Sequence, residues 1–245
     1  MKKKIGIFAY HLIPYQIPLY RLLAKNNNVQ LDVFFLDNLG SKPFFNKEFN
    51  GIIHWDINML SGYNYSYLFN FTLNKNKIFI KRINFGIFFK FFNQYDAVII
   101  TGYDTISSYF ALLCAKIFNS KIFFKTEAFK KSNEKKNSLK FKIKKYIVNL
   151  FLNNSYKILY SCRSNKEYFE QFIGKSSKLI PFYCSVDNEY YLNIKNKIFQ
   201  NRDKFRNKLN INNQDICLLY VGRLTERKNC DMIINAVSKI NDVLG

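Results

Sequence analysis

Short apolar runs separated by stretches of helical periodicity recur along most of this chain, and that alternation limits the fold more than any other feature. Lys4 to Ala9 and Val29 to Leu36 read as buried strands, with a loop from Pro14 to Pro18 and a helix over Leu19 to Ala24 between them. The pattern resumes with a helix over Phe85 to Phe92, a strand at Ala97 to Thr101, a helix over Ser107 to Phe118 and a strand at Lys121 to Lys125. Leu139, Ile143, Tyr146, Ile147 and Leu150 then recur at helical spacing. A strand at Lys157 to Tyr160, a helix over Asn165 to Phe172 and a strand at Lys178 to Pro181 follow. Strands apolar on both faces, each joined to the next by a helix, imply a parallel sheet covered on both sides.

This predicts an α/β protein with a Rossmann-like parallel-sheet domain over residues 1–186. A polar crossing at 187–213, with a connecting helix over Asn201 to Leu209, leads to a strand–loop–helix unit at 214–245 that opens a second Rossmann-like domain. Asn38 to Lys77 shows little periodicity and carries a peripheral strand around Ile52 to Ile57. No internal repeat is visible.

The 245 residues are 48% hydrophobic and 18% aromatic, ample for a buried core. Thirty-eight Lys and Arg against 17 Asp and Glu give a formal charge of +21, which favours polyanions: nucleic acid, anionic lipid or phosphorylated small molecules. Base-reading proteins rely on Arg forks, whereas the excess here is mostly Lys, and most aromatics fall inside the predicted strands and helices. A basic nucleic-acid-binding protein is therefore the weaker alternative, and no nucleic acid is expected as a partner. Five widely spaced cysteines without a Cys-x-x-Cys pair argue against a disulfide framework or zinc site and for a reducing cytoplasm. The apolar run after Lys2 to Lys4 is too short for a signal peptide, and Lys90, Lys116 and Lys125 interrupt the most apolar regions before they reach a membrane span.

Three groups of residues carry candidate chemistry. Ile216 to Val221 is an apolar strand pattern, Gly222 frees the backbone to turn, and Lys228 to Val237 is an amphipathic helix, so Arg223 and Lys228 flank a helix entrance. Two cations beside the unpaired N–H groups of a helix start suit a diphosphate; the alternative is that Arg223, Arg227 and Lys228 form a solvated turn. Tyr10, His11, Tyr15 and Gln16 follow the first strand, where open α/β sheets bind ligands. His11 either orients an acceptor or serves packing. Asp104 and Glu127 follow the strands ending at Thr101 and Lys125, and each is a candidate proton acceptor or a helix cap. Lysines crowd the segment from Lys130 to Lys145, beside the stripe of Leu139, Ile143, Ile147 and Leu150. This suits an anionic membrane surface, while the stripe itself is expected to pack on the sheet. The missing Gly-x-Gly-x-x-Gly after the first strand argues against a nicotinamide or flavin enzyme.

Tyr220 to Ala236, with its Gly222-Arg223 and Lys228, resembles the opening of the second domain in family-4 glycosyltransferases of GT-B fold. Tyr10 to Leu23 is similar to that family's first loop and helix, Tyr95 to Gly102 to its middle strand, and Leu179 to Asp187 to its approach to the interdomain linker. The resemblance implies a retaining enzyme that moves sugar from a nucleotide-sugar donor, held between two Rossmann-like domains, to a glycan or lipid-linked acceptor. Bacterial cell-surface polysaccharide synthesis at the inner face of the membrane is the implied setting. Gly222, Arg223 and Lys228 would hold the departing diphosphate. No metal and no other cofactor is implied, and the chain carries no Asp-x-Asp motif. The family's Glu-x7-Glu motif, late in the second domain, is absent before Gly245. A truncated or split reading frame is therefore expected, with a non-catalytic α/β fragment or half of a split enzyme as the alternative.

Overall fold

A computed structural model describes residues 1–46, 49–55, 57–74, 76–129 and 138–244. The chain divides into two compact units, Met1–Pro43 with His54–Val186, and Phe44–Ile53 with Asp187–Gly245.

In the first unit, β1 (Lys3–Ala9), α1 (Ile17–Lys25, after a 3-10 turn at Pro14–Gln16) and β2 (Val29–Phe35) form the opening β-α-β motif. In the second unit β3 (Phe44–Asn46) and β4 (Gly51–Ile53) pair antiparallel in a small ladder of their own. The first unit continues with β5 (Asn64–Tyr67), α2 (Ile78–Lys81), α3 (Ile87–Phe91), β6 (Ala97–Thr101), α4 (Ile106–Ile117) and β7 (Lys121–Lys125). It closes with α5 (Leu139–Asn154), β8 (Lys157–Tyr160), α6 (Arg163–Ile173) and β9 (Leu179–Pro181). The second unit adds α7 (Asn188–Phe199), α8 (Arg202–Lys208), a 3-10 turn at Glu226–Lys228, and α9 (Asp231–Leu244).

Seven strands form one sheet in the order β5-β2-β1-β6-β7-β8-β9, every neighbouring pair parallel. Successive residues of a strand point to opposite faces, so Phe8 and Ile7 of β1 enter two different cores. Phe8 joins Phe34, Phe91, Phe124, Phe151 and Phe169 under α3 to α6, while Ile7 joins Ile17, Tyr20, Val33 and Phe35 under α1. The chain leaves β1 towards β2 and β5, then returns to lay β6 against the other side of β1. That reversal creates a crevice at the carboxyl ends of β1 and β6, the place where open α/β sheets take ligands.

Four expectations differ from what is observed. Ile216 to Val221 is not a strand: Ile216, Leu219 and Val221 are largely exposed, and among the described residues the second unit's only strands are β3 and β4, paired with each other. An apolar segment becomes a strand only when a neighbour takes its backbone N–H and C=O groups. The peripheral strand falls at Gly51–Ile53, earlier than expected and off the main sheet. The polar crossing holds a second helix, α7, which Asp187 caps by accepting from the N–H of Tyr190 at 2.9 Å. The α5 stripe also faces the other way: Val148, Phe151 and Leu152 are buried, while Leu139, Ile143, Tyr146 and Leu150 are exposed.

Candidate functional site

The crevice is built by residues that step off four strand ends. Gly102, next after β6, holds φ at +72°, and a Cβ there would overlap the phenol oxygen of Tyr10 from the end of β1. Its N–H donates to the Lys125 carbonyl at 2.7 Å, fixing the turn to β7. With no side chain in the way, the Tyr10 hydroxyl crosses the switch point and donates to Oδ1 of Asp104. Burial first, and the Asp104 charge second, push the Tyr10 phenol well above its ordinary range, so it stays a donor.

Behind Tyr10 lies a buried ion pair. Arg82 Nε donates to Oδ2 of Asp37 at 2.7 Å, and the guanidinium sits 4.8 Å from the centroid of the Tyr10 ring. Asp37 follows β2 and Arg82 precedes α3, so Asp37, Arg82, Tyr10 and Asp104 form one contiguous row across the carboxyl edge. Asp104 does not cap α4. That cap is Thr105, whose hydroxyl accepts from the N–H of Ser108, which leaves the Asp104 carboxylate to the crevice.

The second carboxylate is organised separately. Glu127, just past β7, accepts from the Tyr15 hydroxyl at 2.7 Å and lies 3.7 Å from Nζ of Lys125. Burial holds the Lys125 amine below the ordinary lysine range, against the pull of Glu127 in the other direction. Tyr15 is held above the usual phenol range by burial and then by its bond to Glu127. Glu127 is no helix cap either, since Ser138 caps α5. Tyr10, Gln16, Asp104 and Glu127 all line one cleft of about 350 Å³. Gln16 is buried, with its carbonyl oxygen engaged by Tyr20 at 2.6 Å.

His11 departs from this group. Its Nδ1 is buried with no hydrogen-bond partner among the described residues, and burial, partly opposed by Asp37, keeps the ring below its usual pKa and neutral. Arg82, Asp37, Gly102 and Lys125 were not singled out from sequence. For Gly102 a signal existed in the tetrapeptide Thr101-Gly-Tyr-Asp104, because a glycine directly after a strand often marks a left-handed turn.

In the second unit, Gly222 has no left-handed φ; a Cβ there would come within 2.8 Å of the Tyr220 hydroxyl, which donates to the Arg223 carbonyl at 2.9 Å. The glycine is needed for space and not for an unusual turn. Lys228 ends the 3-10 turn, its N–H closing onto the Thr225 carbonyl at 2.8 Å, and Asn229 in the left-handed region separates it from α9. The helix therefore begins at Asp231, three residues later than the sequence reading, with an acidic residue in its first turn. Arg223 and Lys228 precede α9 on the same loop, but the Lys228 backbone is already used. Among the described residues no group of three His, Cys, Asp or Glu side chains gathers in a way that would hold a metal ion.

No family model matches this chain, and no curated protein matches it. Solved structures do. Anabaena HepE in complex with UDP and glucose aligns with a TM-score of 0.60 at 11% identity, covering 97% of this chain and 58% of HepE. HepE with UDP-glucose aligns at a TM-score of 0.57 and 13% identity, covering 96% and 57%. The chain thus spans less than two thirds of the structures it matches, and at this identity the likeness is one of fold: a Rossmann-like α/β architecture of the GT-B type.

Proposed function

We propose that this chain carries the acceptor-side domain, and the start of the donor-side domain, of a glycosyltransferase that moves sugar from a nucleotide-sugar donor to a hydroxyl of a glycan or lipid-linked acceptor. The observation that carries the reading is the pairing of two tyrosine-held carboxylates, Tyr10–Asp104 and Tyr15–Glu127, in one cleft at the switch point. Glycosyl transfer needs a base to take the proton of the attacking hydroxyl. It also needs positive charge to stabilise the nucleoside diphosphate as it leaves.

Asp104 supplies the first. Tyr10 engages Oδ1 and so orients the carboxylate, which leaves Oδ2 to accept an acceptor proton. Glu127 orients the acceptor's other hydroxyls from within the same cleft, the buried Lys125 beside it holds the Glu127 carboxylate in place, and neutral His11 serves the loop's packing behind them. Arg223 and Lys228 supply the second, as side chains on the loop before α9, and Gly222 keeps that loop's close turn open to Tyr220. Charge stabilisation by two side-chain cations needs no metal. UDP is the first nucleotide to try, because HepE has been solved with UDP and with UDP-glucose. A place in cell-surface polysaccharide synthesis belongs to the same proposal through the family resemblance, and so does retention at the anomeric carbon, which requires the hydroxyl held by Asp104 to attack on the face from which the diphosphate departs.

The donor half is tested by calorimetric titration of the chain with UDP. Binding that Arg223→Ala or Lys228→Ala weakens roughly tenfold or more supports the grip. UDP affinity that neither substitution changes contradicts it.

A further inference from the structure

The charge of the cleft is opposite to the charge of the chain. Lys and Arg number 38 against 17 Asp and Glu overall, yet none of the described residues lining the cleft is Lys, Arg or His. Its charged side chains, among the described residues, are the carboxylates of Asp104 and Glu127, while Gln16, Thr101 and Thr126 contribute neutral groups.

Two cations stand close by, and neither lines the cleft. Arg82 is buried and bonded to Asp37 at 2.7 Å, so that pair is neutral as a unit. Lys125 lies 3.7 Å from Oε1 of Glu127, with its ammonium 5.5 Å from the centroid of the Phe182 ring, and it lines a separate small cavity beside Ile7 and Tyr20. It offsets at most one of the two negative charges.

The carboxylates are also held where they are. Asn165 of α6, 1% exposed, donates from Nδ2 to the carbonyls of Thr126 at 3.0 Å and Ala128 at 2.6 Å, the two neighbours of Glu127. Its Oδ1 accepts from the N–H of Ser161 at 3.0 Å. A buried amide bonded in this way pins the backbone on both sides of Glu127, and the Tyr15 hydroxyl then holds Oε1. Tyr10 does the same for Oδ1 of Asp104. The result is a fixed negative field within a positive molecule. A ligand bearing its own phosphate or carboxylate is attracted to the protein at a distance and repelled at the cleft.

We propose that Glu127, together with Asp104, makes this cleft selective for an uncharged or amino-bearing sugar unit and excludes sugars that carry a carboxylate or phosphate. The inference rests on the reading of the cleft as the acceptor side, and it narrows the acceptor. Any phosphate of a lipid-linked glycan stays outside the cleft, with an uncharged or amino sugar presented to Asp104.

The test uses three probes on one ring skeleton: glucosamine, glucose and glucuronate, which are cationic, neutral and anionic. Each is titrated into the 245-residue chain at neutral pH and followed by the backbone amide NMR signals of Gly102 and Ala128, which line the cleft and so separate binding there from binding to the basic surface. Glucosamine should bind at least as tightly as glucose, and glucuronate roughly tenfold or more weakly than glucose. In Glu127→Gln, glucuronate and glucose should come within about threefold of each other. Thr126→Lys, which adds a cation to the lining, should reverse the order of glucosamine and glucuronate. Glucuronate held in the cleft as tightly as glucose, or a preference that Glu127→Gln leaves unchanged, would overturn the proposal. So would the absence of any shift with all three sugars. The same preference in a chain that transfers no sugar would support the selectivity and count against the transferase reading.

Discussion

β6 and the segment from Ile216 to Val221 begin from nearly the same signal, a run of apolar residues leading through a glycine into a helix, and they end in opposite states. In β6, Val98 and Ile100 are buried because β1 and β7 take its backbone groups on both sides and α3 to α6 cover one face. In the second unit Ile216 is 90% and Val221 84% exposed, and no described strand pairs with the segment. An apolar run supplies the side chains for burial, but the backbone accounting must be closed by neighbours that lie far away in sequence. The carboxyl edge of the first unit is therefore a cleft whose side chains are already bonded to one another, while the residues proposed to grip the diphosphate stand on a loop that no described strand supports.

The sharpest way to break this contrast is to truncate one apolar side chain from each region. Phe151→Ala, in the core against Phe124 and Tyr109, should cost about 3–5 kcal/mol. Leu219→Ser should stay within about 0.5 kcal/mol, because Leu219 is already in water. Urea denaturation of both variants measures the difference, and comparable losses would mean that Leu219 is packed after all. The buried ion pair sharpens the contrast within the site itself: Asp37→Ala should cost about 3 kcal/mol by leaving Arg82 buried and unpaired. The same substitution should loosen Tyr10, visible as altered tyrosine fluorescence.

A smaller effect follows from His11. Its folded pKa lies below the unfolded value, so between the two the unfolded chain binds more protons, and stability rises with pH. The contribution is complete above the unfolded value of about 6.5 and is lost as pH falls through the window towards the folded one. Melting temperatures compared at about pH 7 and about pH 5 should differ less in His11→Gln than in the unaltered chain; an unchanged difference would show that another group carries the acid sensitivity.

How much of this was legible in sequence followed how local each feature is. β1, β6, β7 and β8 were read to within about a residue because burial on both faces makes their apolar runs continuous. The edge strand β5, Asn64-Tyr-Ser-Tyr67, was missed because an edge position tolerates polar residues, and α7 was missed because no face of it is buried. Within the site, Tyr10, Asp104 and Glu127 could be placed because each follows a strand. Their tyrosine partners could not be assigned, since Tyr10 and Asp104 are 94 residues apart and meet only through the sheet order. The Arg82–Asp37 pair was invisible for the same reason, and so was Lys125, which reads as an ordinary strand-end lysine until its burial is known.

The central claim is that Asp104, held by Tyr10, is the proton acceptor of a sugar transfer and not a helix cap. It is tested most directly by following transfer of labelled glucose from UDP-glucose to a panel of glycan and lipid-linked acceptors, comparing Asp104→Asn with Thr105→Ala. The account predicts that Asp104→Asn lowers transfer by about a hundredfold or more with an unchanged melting temperature. Thr105→Ala, which removes the cap of α4, should cost about 1 kcal/mol of stability and leave the rate within a few fold. Transfer undiminished by Asp104→Asn, or a melting temperature lowered by it as much as by Thr105→Ala, would contradict the account.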